Sequence, residues 1–405
     1  MSSSPAKANP VIDFDAIEAA NRPLGAFTDF DRGATFGEGP LAGVTVGVKS
    51  NIAVAGLPWT AGMELHRYRV AQRDAETVAA LRGAGAAILG SLNMEEAALG
   101  AKTDNPFYGR TYNPHRTGFT PGGSSGGSGA AVAAGLCDIA LGTDTMGSVR
   151  IPASYCGVYG FKPAQTAVSR DGLEIAEPFL DVIGPLARSL DMLEKTARIT
   201  SKFGDAPLSG TVVTLEGLAG VECTPDVLAA FERACGILGV SQTVALTDTP
   251  SRIRYAGFIA TARALDAALK GAPEGSVSDT LSRLIGYGPR RQPDDLGDDG
   301  MILTRAAGEL NAIVQDKGVL VLPTAPQTAF SHDDPAPANQ ADFTCLANVA
   351  NLPAITVPAG MSDQGLPIGI QLVGPRGSEA ALFELARQLD THLAGYRQPT
   401  HFFQG

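Results

Sequence analysis

"GGSSGGSGAAVAAGLCDIALGTD" spans residues 122–144 and sets a glycine–serine loop, a run of small side chains and an apolar run in direct succession. Glycine and serine crowded over eight positions break regular structure, so residues 122–129 read as a loop. The small residues behind it read as a helix, and the apolar run before Asp144 reads as a strand. Loop, helix and strand in that order predict an α/β unit.

The pattern extends outward on both sides. "GVTVGVK" (43–49) alternates with period two, with Val44, Val46 and Val48 on one face and Thr45, Gly47 and Lys49 on the other. "DAETVAALRGAG" (74–85) reads as a helix opening on acidic residues and closing on Gly83 or Gly85. "AAILGSLN" (86–93) reads as a strand and "MEEAALG" (94–100) as a short helix. Strand patterns return in "GVLVLPTAP" (318–326), "LPAITVPAG" (352–360) and "LPIGIQLVGP" (366–375), with Ser378 placed to cap a closing helix. Strands near both ends predict one shared sheet and a single domain. Residues 200–317 read as a helical segment covering one side, and "QPDDLGDDG" (292–300) within it as a solvated loop.

The chain has 405 residues, 18% of them charged, and a formal net charge of −11. That balance disfavours a nucleic-acid partner, because phosphate binding needs clustered Lys and Arg. The low-polarity run from Ala130 to Leu141 is short and broken by Asp138, so no membrane span is expected. Five scattered cysteines (Cys137, Cys156, Cys223, Cys235, Cys345) and a polar N-terminus fit reduced thiols and a cytoplasmic protein. The five histidines show no His-x-x-x-His spacing, so no metal is expected.

Two serine chemistries compete. Gly123-Ser124-Ser125-Gly126-Gly127 satisfies the G-x-S-x-G pattern of a nucleophile elbow, with Ser125 central and His332 as a distant base. An elbow should leave an apolar strand directly, however, and "TYNPHRTGFTPGG" (111–123) precedes it instead. The other arrangement needs no histidine. Ser148 ends the glycine-bearing turn of "GTDTMGSVRIPAS" (142–154), and Lys49 ends a strand. A lysine is a base only when neutral, which requires burial to bring its pKa from about 10.4 to near 7. By itself, a strand-end lysine reaching into solvent is the plainer reading.

Taken together, "PGGSSGGSGAAVAAGLCDIALGTDTMGSVRIPASYCGVYGFKP" (121–163) and "LAGVTVGVKSNIAVAGLPWTAG" (41–62) resemble the amidase signature family of serine hydrolases. "VLVLPTAP" (319–326) and the two apolar runs in 350–375 resemble its C-terminal strands. The resemblance implies a single large α/β domain, with a central mixed β-sheet covered by helices on both faces. It divides the chain into a catalytic core (41–200), a variable pocket-shaping segment (200–317) and completing strands and helix (318–390). It also implies a Ser–cis-Ser–Lys triad: Ser148 as nucleophile, Ser124 as bridging serine after a cis peptide from Gly123, Lys49 as base and Ser125 in support. The backbone N–H groups of Thr145, Met146, Gly147 and Ser148 would face the oxyanion. No cofactor is implied.

Two positions depart from the family pattern. Met146 stands where glycine is common, and Ser50 where aspartate commonly follows the lysine. The expected reaction is hydrolysis of a small amide or ureido-type substrate without nucleic acid or membrane, in a chain that could form a homodimer. Arg110 and Arg150 are candidates to hold a substrate carboxylate, Arg150 and Asp144 also reading as a structural pair. The alternatives are the glutaminase (A) subunit of a tRNA amidotransferase, dependent on partner subunits, and a weakly active amidase-fold binding protein.

Overall fold

The computed structural model describes residues 11–208 and 210–400. Its frame is an eleven-stranded mixed sheet. The strand Ile139–Asp144, read from the opening stretch, runs parallel to the lysine strand Thr45–Lys49 on one side and antiparallel to Val182–Ala187 on the other. Beyond the lysine strand lie Ala87–Leu92, parallel to it, and the antiparallel edge strand Phe27–Phe30. In the other direction, Tyr159–Lys162, Ala354–Met361, Pro367–Val373 and Val319–Pro323 follow, each antiparallel to its predecessor. Strands from both ends of the sequence therefore meet in one sheet.

Alternation along Ile139–Asp144 shows how both faces are covered. Ile139 and Leu141 pack with Val46, Val48 and the helix residues Val78 and Leu81. Ala140, between them, packs on the opposite side with Ala130–Ala134 and with Ala153 and Cys156. Gly47 and Lys49 alternate with Val46 and Val48 and so point to that second face, where the helix Gly126–Ala133 lies. Small side chains let this helix come close: a Cβ on Gly127 would stand 2.4 Å from the Asn93 carbonyl oxygen. Period-two reading thus predicts sidedness correctly, but Lys49 is fully buried rather than reaching into solvent.

Several local expectations are corrected. "QPDDLGDDG" is not a loop; it opens the 25-residue helix Pro293–Lys317. Pro293 stands in the first turn, where a missing N–H costs nothing, and Asp294 and Asp295 oppose the positive end of the helix dipole. Asp299, one turn on, is buried against Arg252 and Arg291. "MEEAALG" forms only the 3₁₀ turn Glu96–Ala98, because Ala97 and Ala98 have left-handed backbone. The middle segment is not purely helical: Val212–Leu215 and Gln242–Val244 extend the sheet in parallel beyond Val319–Pro323. Ser378 precedes the helix Glu379–Leu393 as expected, yet its hydroxyl makes no capping bond.

Candidate active site

Lys49 lies at the C-terminal end of its strand with no exposed surface. Its Nζ stands 2.8 Å from Ser124 Oγ and 2.7 Å from Thr143 Oγ1. Both hydroxyls are also buried. Desolvation dominates here and lowers the lysine pKa to about 7, against the opposing charges of Asp181, Asp144 and Glu95. A lysine so placed is partly neutral near pH 7 and can accept a proton from a neighbouring hydroxyl.

Ser124 follows a cis peptide bond from Gly123. Ser125, next in the chain, is clamped to the neighbouring strand: its Oγ donates to the Thr143 carbonyl at 3.1 Å and accepts from the Thr143 N–H at 3.2 Å. Thr143 thus has its backbone fixed by Ser125 and its hydroxyl turned to Lys49. Asn51 Nδ2 donates to the same Thr143 hydroxyl at 3.2 Å. Ser125 is buried in this clamp, and His332 is engaged with the Thr111 carbonyl and the Tyr112 ring. The nucleophile-elbow reading has no geometric support.

The turn carrying Ser148 is organised by Asp144. Its carboxylate accepts from the N–H groups of Gly147 (2.7 Å) and Val149 (3.2 Å), and from Arg150 Nε (3.0 Å) and Nη2 (2.9 Å). Asn348 Nδ2 adds a bond to the same carboxylate at 2.9 Å. Burial alone would raise this carboxyl's pKa, but the Arg150 charge and its hydrogen bonds outweigh it and hold the group at about 2. Gly147 has φ +133°, and a Cβ there would stand 2.2 Å from Thr344 Oγ1, so glycine is required. The Gly147 N–H is engaged by Asp144, which removes it from the four expected oxyanion donors. Those of Thr145, Met146 and Ser148 have no hydrogen-bond partner among the described residues.

Ser148, half-buried, opens on a pocket of about 170 Å³, whose wall also includes Gly123, Thr145 and Met146. Its hydroxyl has no hydrogen-bond partner among the described residues. The structure therefore joins Lys49 to Ser124 directly and sets Ser148 free at the pocket wall. Met146 lines the pocket and its Sδ lies 3.2 Å from the position of a Cβ on Gly257. Ser50 is buried, and only its backbone forms hydrogen bonds, to Leu92 and Ala61.

Neither arginine proposed for a substrate carboxylate is free to serve. Arg150 is wholly buried and engaged at all three nitrogens by Asp144, Gln371 and Asn348, as the structural reading expects. Arg110 pairs with Asp104 at 2.9 Å and is not part of the pocket wall. Sequence reasoning did not single out Thr143, Asn51, Asn348 or Asp181, whose carboxylate accepts from Thr145 Oγ1 at 2.6 Å. Thr143 could have been marked by its position in "GTDTMGS"; Asp181 and Asn348 carry no local signal. Among the described residues no helix is long and apolar enough to cross a membrane, and no cluster of potential metal ligands occurs.

The Amidase family profile matches residues 11–209 and 252–383. The A-subunit of the glutamyl-tRNA(Gln) amidotransferase from a Synechococcus species is 34% identical, the alignment covering 87% of this chain and 84% of that protein. The solved A-subunit of the Thermotoga maritima amidotransferase superposes with a TM-score of 0.84 at 27% identity, covering 95% of this chain and 92% of that one. A chain solved in a study of a vestigial protein complex and the evolutionary origins of an s-triazine catabolic enzyme gives a TM-score of 0.87 at 28% identity, covering 95% and 94%. The matched profile takes in the lysine strand, the glycine–serine loop and the Ser148 turn alike, and the chain belongs to the amidase signature family.

Proposed function

We propose that the protein hydrolyses the C–N bond of a small carboxylic amide through a seryl acyl-enzyme. The observation that carries this reading is the buried Lys49, 2.8 Å from Ser124 Oγ, behind a pocket whose wall bears the unpartnered hydroxyl of Ser148. Ser148 Oγ attacks the amide carbonyl carbon. Its proton passes to Ser124 Oγ as the Ser124 proton passes to neutral Lys49. Ser148 Oγ makes no hydrogen bond to Ser124 in this structure, so the relay requires that contact to form on substrate binding, in keeping with catalytic hydrogen bonds that tighten only once substrate is bound. The N–H groups of Thr145, Met146 and Ser148 supply the oxyanion donors.

Collapse of the tetrahedral intermediate breaks the C–N bond. Protonated Lys49 returns a proton through Ser124 to the leaving nitrogen, and ammonia or an amine departs. Water then attacks the acyl-enzyme by the same relay and releases the carboxylic acid. Ser125 supports the site by fixing Thr143. The segment 200–317 shapes the pocket through residues such as Phe258 and Leu284. At about 170 Å³ the pocket is smaller than the roughly 300–1,000 Å³ of drug-sized sites, which favours a compact substrate.

A second reading is favoured by the likeness to glutamyl-tRNA(Gln) amidotransferases: a component of such a complex that releases ammonia from glutamine for a partner. Labelling with a fluorophosphonate followed by peptide mapping, together with a screen of small amides, tests the first reading on the isolated chain. Modification of Ser148 that falls sharply in Lys49→Met, with turnover of at least one simple amide, is the expected result. Modification of Ser125 independent of Lys49 would overturn it. Glutamine turnover that appears only when partner proteins are added would favour the second reading.

A further inference from the structure

The pocket wall of Ser148 is built from small, apolar and neutral polar residues with one exception, Arg254. It rises from the helix Pro250–Ala268, one turn before Phe258 and two before Thr261, which line the same cavity. Arg254 Nε donates to Asp342 Oδ1 at 2.6 Å. The other oxygen of Asp342 is engaged by the Ser251 hydroxyl. Asp342 is almost completely buried, with 1% of its side chain exposed, while Arg254 keeps 22%.

This geometry fixes one edge of the guanidinium. Asp342 holds it by the Nε edge, and both Nη groups are left without a hydrogen-bond partner among the described residues. Two parallel N–H groups on a planar fork match a carboxylate in two-point contact. The rest of the wall offers such a group no competing charge. We infer that Arg254 is a specificity-determining residue, and that the substrate is an amide whose acyl part ends in a carboxylate, such as the monoamide of a short dicarboxylic acid. The carboxylate docks on the Nη face of Arg254, while the amide carbonyl is presented to Ser148.

The inference deepens the amidase reading of the same pocket and depends on it for turnover, so one test reads binding alone. Succinate and glutarate, as product dicarboxylates, are titrated against the whole protein by calorimetry and thermal shift. They are compared with butyrate on wild type, Arg254→Gln and Arg254→Lys. The double variant Arg254→Gln/Asp342→Asn relieves the buried carboxylate should the single variant fold poorly. The second test compares kcat/KM for succinamate and glutaramate with that for butyramide.

The expected result is dicarboxylate binding that weakens by about 10- to 100-fold in Arg254→Gln, the range of a charge-assisted contact, and is partly kept in Arg254→Lys. The preference for anionic over neutral amides should fall by a similar factor, through KM. Dicarboxylates that bind wild type and Arg254→Gln equally, or bind neither, overturn the inference, as does an unchanged preference. Arg254-dependent binding without turnover of any amide by the isolated chain keeps Arg254 as the carboxylate anchor of the pocket and counts against the first reading of the function instead.

Discussion

Lys49 Nζ lies 2.8 Å from Ser124 Oγ, in a contact between residues 75 positions apart that is closed to solvent on every side. Removing the amine while keeping the length of the side chain isolates its chemical part. Lys49→Met should lower kcat/KM by about 10²–10⁴-fold, the usual weight of a general base, with little change in KM. Steady-state kinetics on the best small amide checks this.

The pH profile follows from the same burial. Lys49 titrates at about 7 and works as a base only when neutral. kcat/KM should therefore rise through about pH 7 to a plateau. A profile flat from pH 6 to 9 would remove Lys49 as the base.

Stability should follow pH in the same direction. Burial also lowers the pKa of Lys162 to about 7, helped by the charge of Arg150 and opposed by that of Asp144. Above pH 7 the unfolded chain keeps two protons on these lysines that the folded chain has released, so stability rises with pH. Near pH 8.5 the gain is countered, because burial raises the thiol pKa of Cys137 to about 12 and unfolded cysteines begin to ionise. Denaturation midpoints between pH 7 and 8.5 should increase, and by less in Lys162→Met.

Arg150→Met should destabilise the fold by about 3–5 kcal/mol, because Asp144 would keep its buried charge and lose its cation. Urea titration measures the loss. The same variant should lose activity, since Asp144 also holds the Gly147 and Val149 amides that shape the Ser148 turn.

Met146→Gly should widen the pocket where Met146 meets Gly257. Acyl groups one or two carbons longer should gain relative to short ones, each methylene being worth about 1–3 kcal/mol in such a pocket. A chain-length series of amides checks the shift.

The sequence by itself determined the α/β class and the two-ended sheet, because period-two alternation and glycine–serine clustering are local, while its long irregular motif put forward Lys49, Ser124, Ser125 and Ser148 as candidates through the resemblance to the amidase signature family. It determined which face of its strand Lys49 occupies but not what covers that face. Burial of the lysine comes from chain segments 75 and 94 positions away, and a desolvated amine differs from a solvated one only in those distant neighbours. For the same reason "QPDDLGDDG" read as a loop: Asp299 gains its partners Arg252 and Arg291 only in the folded chain. Tertiary structure alone decided which arginines are engaged and which is free. Arg150 is enclosed by Asp144, Gln371 and Asn348, Arg110 is drawn to Asp104, and Arg254, in the pocket wall, is held by Asp342 through Nε alone. Charge is written in the sequence; the partner that neutralises it, or leaves it available, is set by packing.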